Sequence, residues 1–200
     1  MKVVVASMNA DKLRELGELL DLPGLELVSL RDIPGARAPE ENGATLLDNA
    51  RIKARAATAL TRLPAIADDT GLEVDALGGR PGINAARYAG PTATYADNVQ
   101  KLLREMDGIP LIRRAARFRT VCVMHFPTGK ERIGEGVLEG RIVEAPRGEQ
   151  GFGYDPVFEV TDRRRTLAEM SRTEKNRLSH RARATRALRA SLLLLLTEDL

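Results

Sequence analysis

The sequence predicts an α/β fold built on a mixed β-sheet, and three observations carry that reading. Short apolar runs with strand character stand before, between and after stretches in which Leu and Ala recur at helical spacing. The earliest of these pairs is a strand–turn–helix, the usual opening of an α/β chain. The composition, 43% hydrophobic and 30% charged over 200 residues, is ordinary for a globular domain with one substantial core. A single domain over residues 1–200 is expected.

Taken in order, residues 2–6 read as a short buried strand that gives way to Ser7-Met8-Asn9-Ala10-Asp11-Lys12. Leu13, Leu16, Leu19 and Leu20 then mark a helix, with Asn9 or Asp11 available as its cap. A second strand is expected at Glu26–Ser29 and a loop over 34–43. A helix follows from about Thr45 to Leu60, burying Leu46, Ala50, Ala54 and Ala57. Ala65, Ile66 and Ala67 make a very short strand that ends by delivering Asp68-Asp69-Thr70-Gly71. Glycine-rich residues 78–90 are expected to be irregular, with a helix after them from Tyr95 to Met106. Residues 118–126 have the β-branched and aromatic content of a strand, paired with a second at 131–139. A glycine-rich loop (148–155) and a short strand (157–160) come next. One helix over 174–196 then carries a stripe of Leu178, Ala182, Thr185, Leu188, Leu192 and Leu195.

Composition also excludes several classes. The one cysteine, Cys122, rules out an intramolecular disulfide, and two histidines far apart in sequence, His125 and His180, offer no zinc-type cluster. The apolar run at 2–6 is too short for a signal-peptide core, and the Leu run at 192–196 is far below the ~20 residues that span a bilayer. A cytoplasmic protein without membrane attachment is expected. Net charge is only +3, yet residues 163–189 hold ten Arg or Lys against Glu169 and Glu174. Such a cluster suits a polyphosphate ligand, a nucleic-acid surface or a solvated helix face.

Four segments hold residue types that a core does not need. Backbone N–H groups at a helix start, with Lys12 one turn in, suit a phosphate as well as they suit simple capping. Glu40 and Glu41 precede the second helix, on which Asn49 and Lys53 share a face by being four apart. Asp68 and Asp69 end an apolar strand, where adjacent carboxylates are costly unless a cation or donors compensate them. Hard oxygen ligands of this kind suit Mg²⁺ completed by phosphate oxygens. The fourth is Gly151-Phe152-Gly153-Tyr154-Asp155 with Lys175, Ser179, His180 and Arg181; Phe152, between two glycines, has a ring face to offer a base.

Together these residues resemble the inosine triphosphate pyrophosphatase family. The matching stretches are Ser7 to Lys12, Glu41-Asn42-Gly43 through Asn49-Ala50, Lys53-Ala54, and Ala67-Asp68-Asp69-Thr70-Gly71-Leu72-Glu73-Val74-Asp75-Ala76-Leu77-Gly78-Gly79. They continue with Pro81-Gly82, Ala86-Arg87-Tyr88-Ala89-Gly90, Gly151-Phe152-Gly153-Tyr154-Asp155-Pro156, Glu169-Met170, Lys175-Asn176 and Ser179-His180-Arg181. Two positions depart from the family pattern: Met8 stands where Gly is usual, and Thr70 where Ser is commoner.

The resemblance implies an elongated, two-lobed α/β fold, with a long mixed β-sheet flanked by helices and an active cleft between the lobes. It implies hydrolysis of deaminated purine nucleoside triphosphates (ITP, dITP, XTP) to monophosphate and pyrophosphate, with Mg²⁺, by a homodimer. Ser7, Met8, Asn9, Ala10, Asp11, Lys12 and Lys53 would hold the triphosphate. Asp69 would be the general base and approach the metal, with Glu41 or its neighbour Glu40 as the other ligand. Thr70 would touch substrate beside the base. Phe152 would stack on the purine, with Gly153, Tyr154, Asp155, Lys175, His180 and Arg181 around the base and sugar-phosphate. A nucleic-acid-binding module is the rival reading, and it leaves Glu41, Asp68 and Asp69 without a purpose because acids repel a polyanion. No stable nucleic-acid partner is expected.

Overall fold

Val3, Val4 and Val5 are β-branched and buried, and they make the first strand, β1 (Lys2–Val5). The computed structural model describes residues 1–20 and 23–198, the segment 191–198 by its backbone alone. After β1 come α1 (Ala10–Leu19), β2 (Glu26–Ser29), α2 (Leu46–Thr61), β3 (Ala65–Val74) and β4 (Pro81–Gly82). They are followed by α3 (Tyr95–Glu105), β5 (Ala115–His125), β6 (Glu131–Ile142), β7 (Phe158–Val160), α4 (Arg172–Leu178) and α5 (His180–Glu198). The strands form one sheet in the order β2-β1-β3-β5-β6-β7, with β4 paired to β3 off that path. β1 is parallel to β2 and β3, whereas β4 and β7 are antiparallel to their partners, so the sheet is mixed, as the sequence predicts.

The chain divides into two compact units. One comprises Met1–Asp69, Thr120–Gly136 and Arg181–Leu200; the other comprises Thr70–Arg119 and Val137–His180. In the first, Val3, Val5, Leu16, Leu20, Ile66, Met124 and Leu188 share a core cluster. Helix α2 starts at a capping box in which Thr45 Oγ1 accepts the Asp48 N–H and the Asp48 carboxylate accepts that of Thr45. The buried residues of α2 include Leu46, Ala50, Ala54 and Ala57, the stripe expected of it. In the second unit, Leu72, Val74, Leu102, Met106, Phe118, Ile142 and Phe158 are among the residues of a separate cluster.

Three expectations need correction. The strand expected to stop at Ala67 runs on to Val74, so Asp68 and Asp69 sit inside β3 and not at its end. Cations from three helices compensate the carboxylates, which removes the penalty that argued for an early stop. The glycine-rich segment after β3 is not wholly irregular, since Pro81 and Gly82 pair with Glu73 and Leu72. Finally, the carboxyl-terminal helix is two helices. α4 begins at a Ser171–Glu174 capping box, and Ser179 (ψ 157°) is extended between α4 and α5. The single stripe is thereby divided: Leu178 packs in the second unit's cluster, and Ala184 and Leu188 in the first's. Leu192 and Leu195 lie outside the residues whose side chains are described. Among the described residues no helix is long and apolar enough to cross a membrane.

Candidate active site

Side chains alternate across a strand, so consecutive residues of β3 serve opposite faces. Asp69 meets α2: its Oδ1 accepts from Lys53 Nζ at 3.0 Å and its Oδ2 from Asn49 Nδ2 at 3.3 Å. Asn49 and Lys53 reach the same carboxylate because one helical turn separates them. Lys53 also lies 3.4 Å from Glu41 Oε1. The Glu41 loop is fastened to the helix by Gly43, whose N–H donates to Asn49 Oδ1 at 2.9 Å. Only glycine fits there, since a Cβ would come within 2.6 Å of Asp48 Cβ. Burial opposes the charge on Lys53, but Asp69, Asp68 and Glu41 together outweigh it, and the ammonium is held above its ordinary pKa.

Asp68 faces α1 and α5. Lys12 Nζ is 3.3 Å from Asp68 Oδ2, and Arg181 Nε donates to the same oxygen at 3.1 Å. Arg181 also pairs through Nη1 with Glu15 of α1. Burial would raise the pKa of Asp68, yet Lys12, Arg181 and Lys53 hold it well below the usual carboxylate range. For Lys12 burial prevails: its pKa is lowered, with Lys53 and Arg181 adding to the effect and Asp68 and Asp69 opposing it.

The Ser7 to Lys12 turn is a capped helix start. Asn9, not Asp11, is the cap: Asn9 Oδ1 accepts the N–H groups of Asp11 (2.9 Å) and Lys12 (3.2 Å). The Asn9 N–H goes to Ser7 Oγ at 3.2 Å. Met8 is 45% exposed, so the side chain that replaces glycine points away from the core. With these donors already engaged, the ammonium of Lys12 is the stronger phosphate contact the turn offers. Glu40 is exposed, while Glu41 is half-buried and turned to Lys53.

In the second unit the aromatic segment forms its own cluster. Gly151 adopts φ +74° beside the Asp155 carboxylate, so close that a Cβ would lie 2.0 Å from Oδ2. That carboxylate accepts the Phe152 N–H at 2.9 Å and Lys175 Nζ at 2.5 Å. Lys175 Nζ stands 4.8 Å from the centre of the Phe152 ring, and the Tyr95 ring lies 5.7 Å from it. Tyr154 is buried and donates to Ala85 O at 2.9 Å, and the His180 ring stacks on Phe118 at 4.5 Å. Gly153 and Thr70 are half-buried in this unit. Phe152, Asp155 and Lys175 are thus brought together, His180 sits on a different aromatic, and Arg181 belongs to the Asp68 cluster of the first unit.

Two residues of these clusters escaped the sequence. Glu15 carries a signal in retrospect, a carboxylate next to the apolar stripe of α1 and three residues from Lys12. Tyr95 carries none, because a helix-initial tyrosine has no mark of an aromatic partner 57 residues on.

Glu41 and Asp69 converge on one ammonium. Among the described residues no group of three or more His, Cys, Asp or Glu could hold a metal alone. A convergent carboxylate pair does fit a hard divalent cation that takes its remaining ligands from phosphate oxygens.

Residues 3–191 match the sequence profile of the Ham1 family. A dITP/XTP pyrophosphatase of Geobacillus kaustophilus is 49% identical over 183 residues, 92% of this chain and 90% of its own. The structure of a HAM1 protein from Coxiella burnetii superposes with a TM-score of 0.85 at 41% identity, covering 99% of each chain. That of a nucleoside-triphosphatase / dITP/XTP pyrophosphatase from Mycobacterium abscessus gives 0.76 at 45% identity, over 96% of this chain and 99% of its own.

Proposed function

Since the chain belongs to the Ham1 family, we propose that it hydrolyses ITP, dITP and XTP to the nucleoside monophosphate and pyrophosphate, using Mg²⁺. The observation that carries this reading is the carboxylate of Asp69, fixed by Lys53 and Asn49 beside Glu41 in a chain matched along nearly its whole length to dITP/XTP pyrophosphatases. Mg²⁺ held by Glu41 and Asp69 would neutralise charge on the phosphates. Glu41 is preferred to Glu40 because its carboxylate reaches the Asp69 cluster.

Asp69 takes the proton from a water attacking the α-phosphorus, and Asn49 holds the carboxylate in orientation. Lys53, kept charged by its carboxylate neighbours, stabilises the pyrophosphate leaving group together with Lys12. Thr70 is assigned to substrate beside Asp69 on the family resemblance. Phe152, followed by Gly153 and Tyr154, is assigned to the purine on the family resemblance, and Lys175 and Tyr95 support its half-buried ring from within the same unit. Asp155, Lys175, His180 and Arg181 are assigned to the base and sugar-phosphate on the family resemblance. A 6-keto, N1–H purine edge offers an acceptor and a donor to such groups, whereas adenine reverses both, a mismatch worth on the order of 10⁴ in selectivity. The working form is read as a homodimer, on the family resemblance alone, and as cytoplasmic, in keeping with the short apolar runs of the sequence.

The test is a panel of nucleoside triphosphates with Mg²⁺, assayed for pyrophosphate and for phosphate. The expected result is pyrophosphate as first product and a much larger kcat/KM for ITP than for ATP. Nucleoside diphosphate as the first product, or equal values for the two nucleotides, would overturn the reading.

A further inference from the structure

Lys12 does not meet Asp68 in isolation. Asp68 Oδ2 is shared between Lys12 (3.3 Å) and Arg181 Nε (3.1 Å), and Arg181 in turn holds Glu15 through Nη1. Glu15 lies on α1, three residues beyond Lys12, so the contacts Lys12–Asp68–Arg181–Glu15 leave one helix and return to it. Glu15, Asp68 and Arg181 are all more than nine-tenths buried. Two cations and two anions balance.

Four charges, three of them buried, are a poor means of stabilising a fold, because desolvation offsets most of their attraction and apolar residues of similar volume often do as well. Their geometry accomplishes something else. A guanidinium favours bidentate pairing with a carboxylate. Glu15 engages one arm of Arg181, and Asp68 Oδ2 thereby stays within reach of Lys12. Without Glu15, Arg181 would turn its fork to Asp68 and compete with Lys12 for it, with an uncompensated positive charge near the lysine. We propose that Glu15 is a positioning residue for the triphosphate, acting through Arg181 and Asp68 to fix the Lys12 ammonium that meets the phosphates.

The proposal rests on the reading of Lys12 as a phosphate ligand in the pyrophosphatase reaction, and steady-state kinetics with ITP and Mg²⁺ separate the two. Glu15→Gln should raise KM about tenfold, the weight of one charge-assisted contact, with kcat changed less than about threefold. In a Lys12→Met background the same substitution should leave KM unchanged, since the group it acts through is gone. An unaltered KM for Glu15→Gln in the otherwise wild-type enzyme, an equal rise in both backgrounds, or a fall in kcat alone overturns the proposal. Removing one partner of a buried pair can unfold a protein, so a melting curve accompanies each variant. If Glu15→Gln does not fold, Glu15→Asp keeps the charge but withdraws it by one methylene. It should give a smaller, still Lys12-dependent rise, and an unchanged KM there is equally fatal. A wild-type protein that releases no pyrophosphate from any triphosphate would instead remove the functional reading itself.

Discussion

Asp69→Asn keeps the shape of the side chain and removes one negative charge. Two losses follow, and their sizes differ. The first is structural: the carboxylate now accepts from Lys53 at 3.0 Å and Asn49 at 3.3 Å. The amide oxygen can still accept from Lys53, its NH2 then facing the Asn49 Nδ2 donor, and Glu41 remains 3.4 Å from the ammonium. One charge-assisted contact is therefore weakened and the lysine is not stranded, at a cost of about 1–2 kcal/mol. For a chain of this length that lowers Tm by roughly 2–8 °C. The second loss is chemical. Without the carboxylate no group at that position takes the proton from water, and loss of a general base costs about 10²–10⁴ in rate. At 1.36 kcal/mol per decade this is about 2.7–5.4 kcal/mol of activation free energy. Catalysis should thus fall much further than folding, and nucleotide should still bind. The assay is pyrophosphate release from ITP at saturating Mg²⁺, well below the variant's Tm, beside a melting curve of both proteins. A kcat within threefold of wild type would refute the role given to Asp69, and a fall fully accounted for by unfolding would refute the separation of the two losses.

Gly43→Ala tests the loop that delivers Glu41. A Cβ there would approach Asp48 Cβ to 2.6 Å and Asn49 Oδ1 to 2.7 Å, so the loop must retreat from α2. The half-saturating Mg²⁺ concentration should rise about 10–100-fold, the usual effect of disturbing the support of a metal ligand; an unchanged Mg²⁺ titration would contradict it. Asp68 makes a prediction in pH. Its folded pKa lies below its ordinary 3.8, with burial opposing the shift and Lys12, Arg181 and Lys53 overcoming it. The stability it contributes is therefore complete above that value and lost as pH falls beneath it. The carboxyl carbon resonance of Asp68 should still report the ionised form at about pH 3, and a titration at or above the ordinary value would disprove the network.

What the sequence by itself determined was local. The valines of β1, the start of α2 at Thr45, and Asn49 and Lys53 on one face of α2 follow from propensity and from a period of 3.6, both written in neighbouring residues. The order of strands and helices, apart from β4 and the division of α4 from α5, followed for the same reason. Three features were decided only in the folded chain. Asp68 and Asp69 continue β3 because Lys12, Lys53 and Arg181 arrive from α1, α2 and α5 to compensate them, and no local rule foretells a partner 113 residues away. Ser179 breaks the last helical stretch because its flanks pack into different cores, a conflict absent from its unbroken apolar stripe. Glu15 is buried because Arg181 from α5 pairs with it, a contact that nothing in the sequence of α1 announces. Periodicity records which face of an element is buried; which charges meet there depends on the whole chain, because ion pairs inside a protein are set by proximity in space.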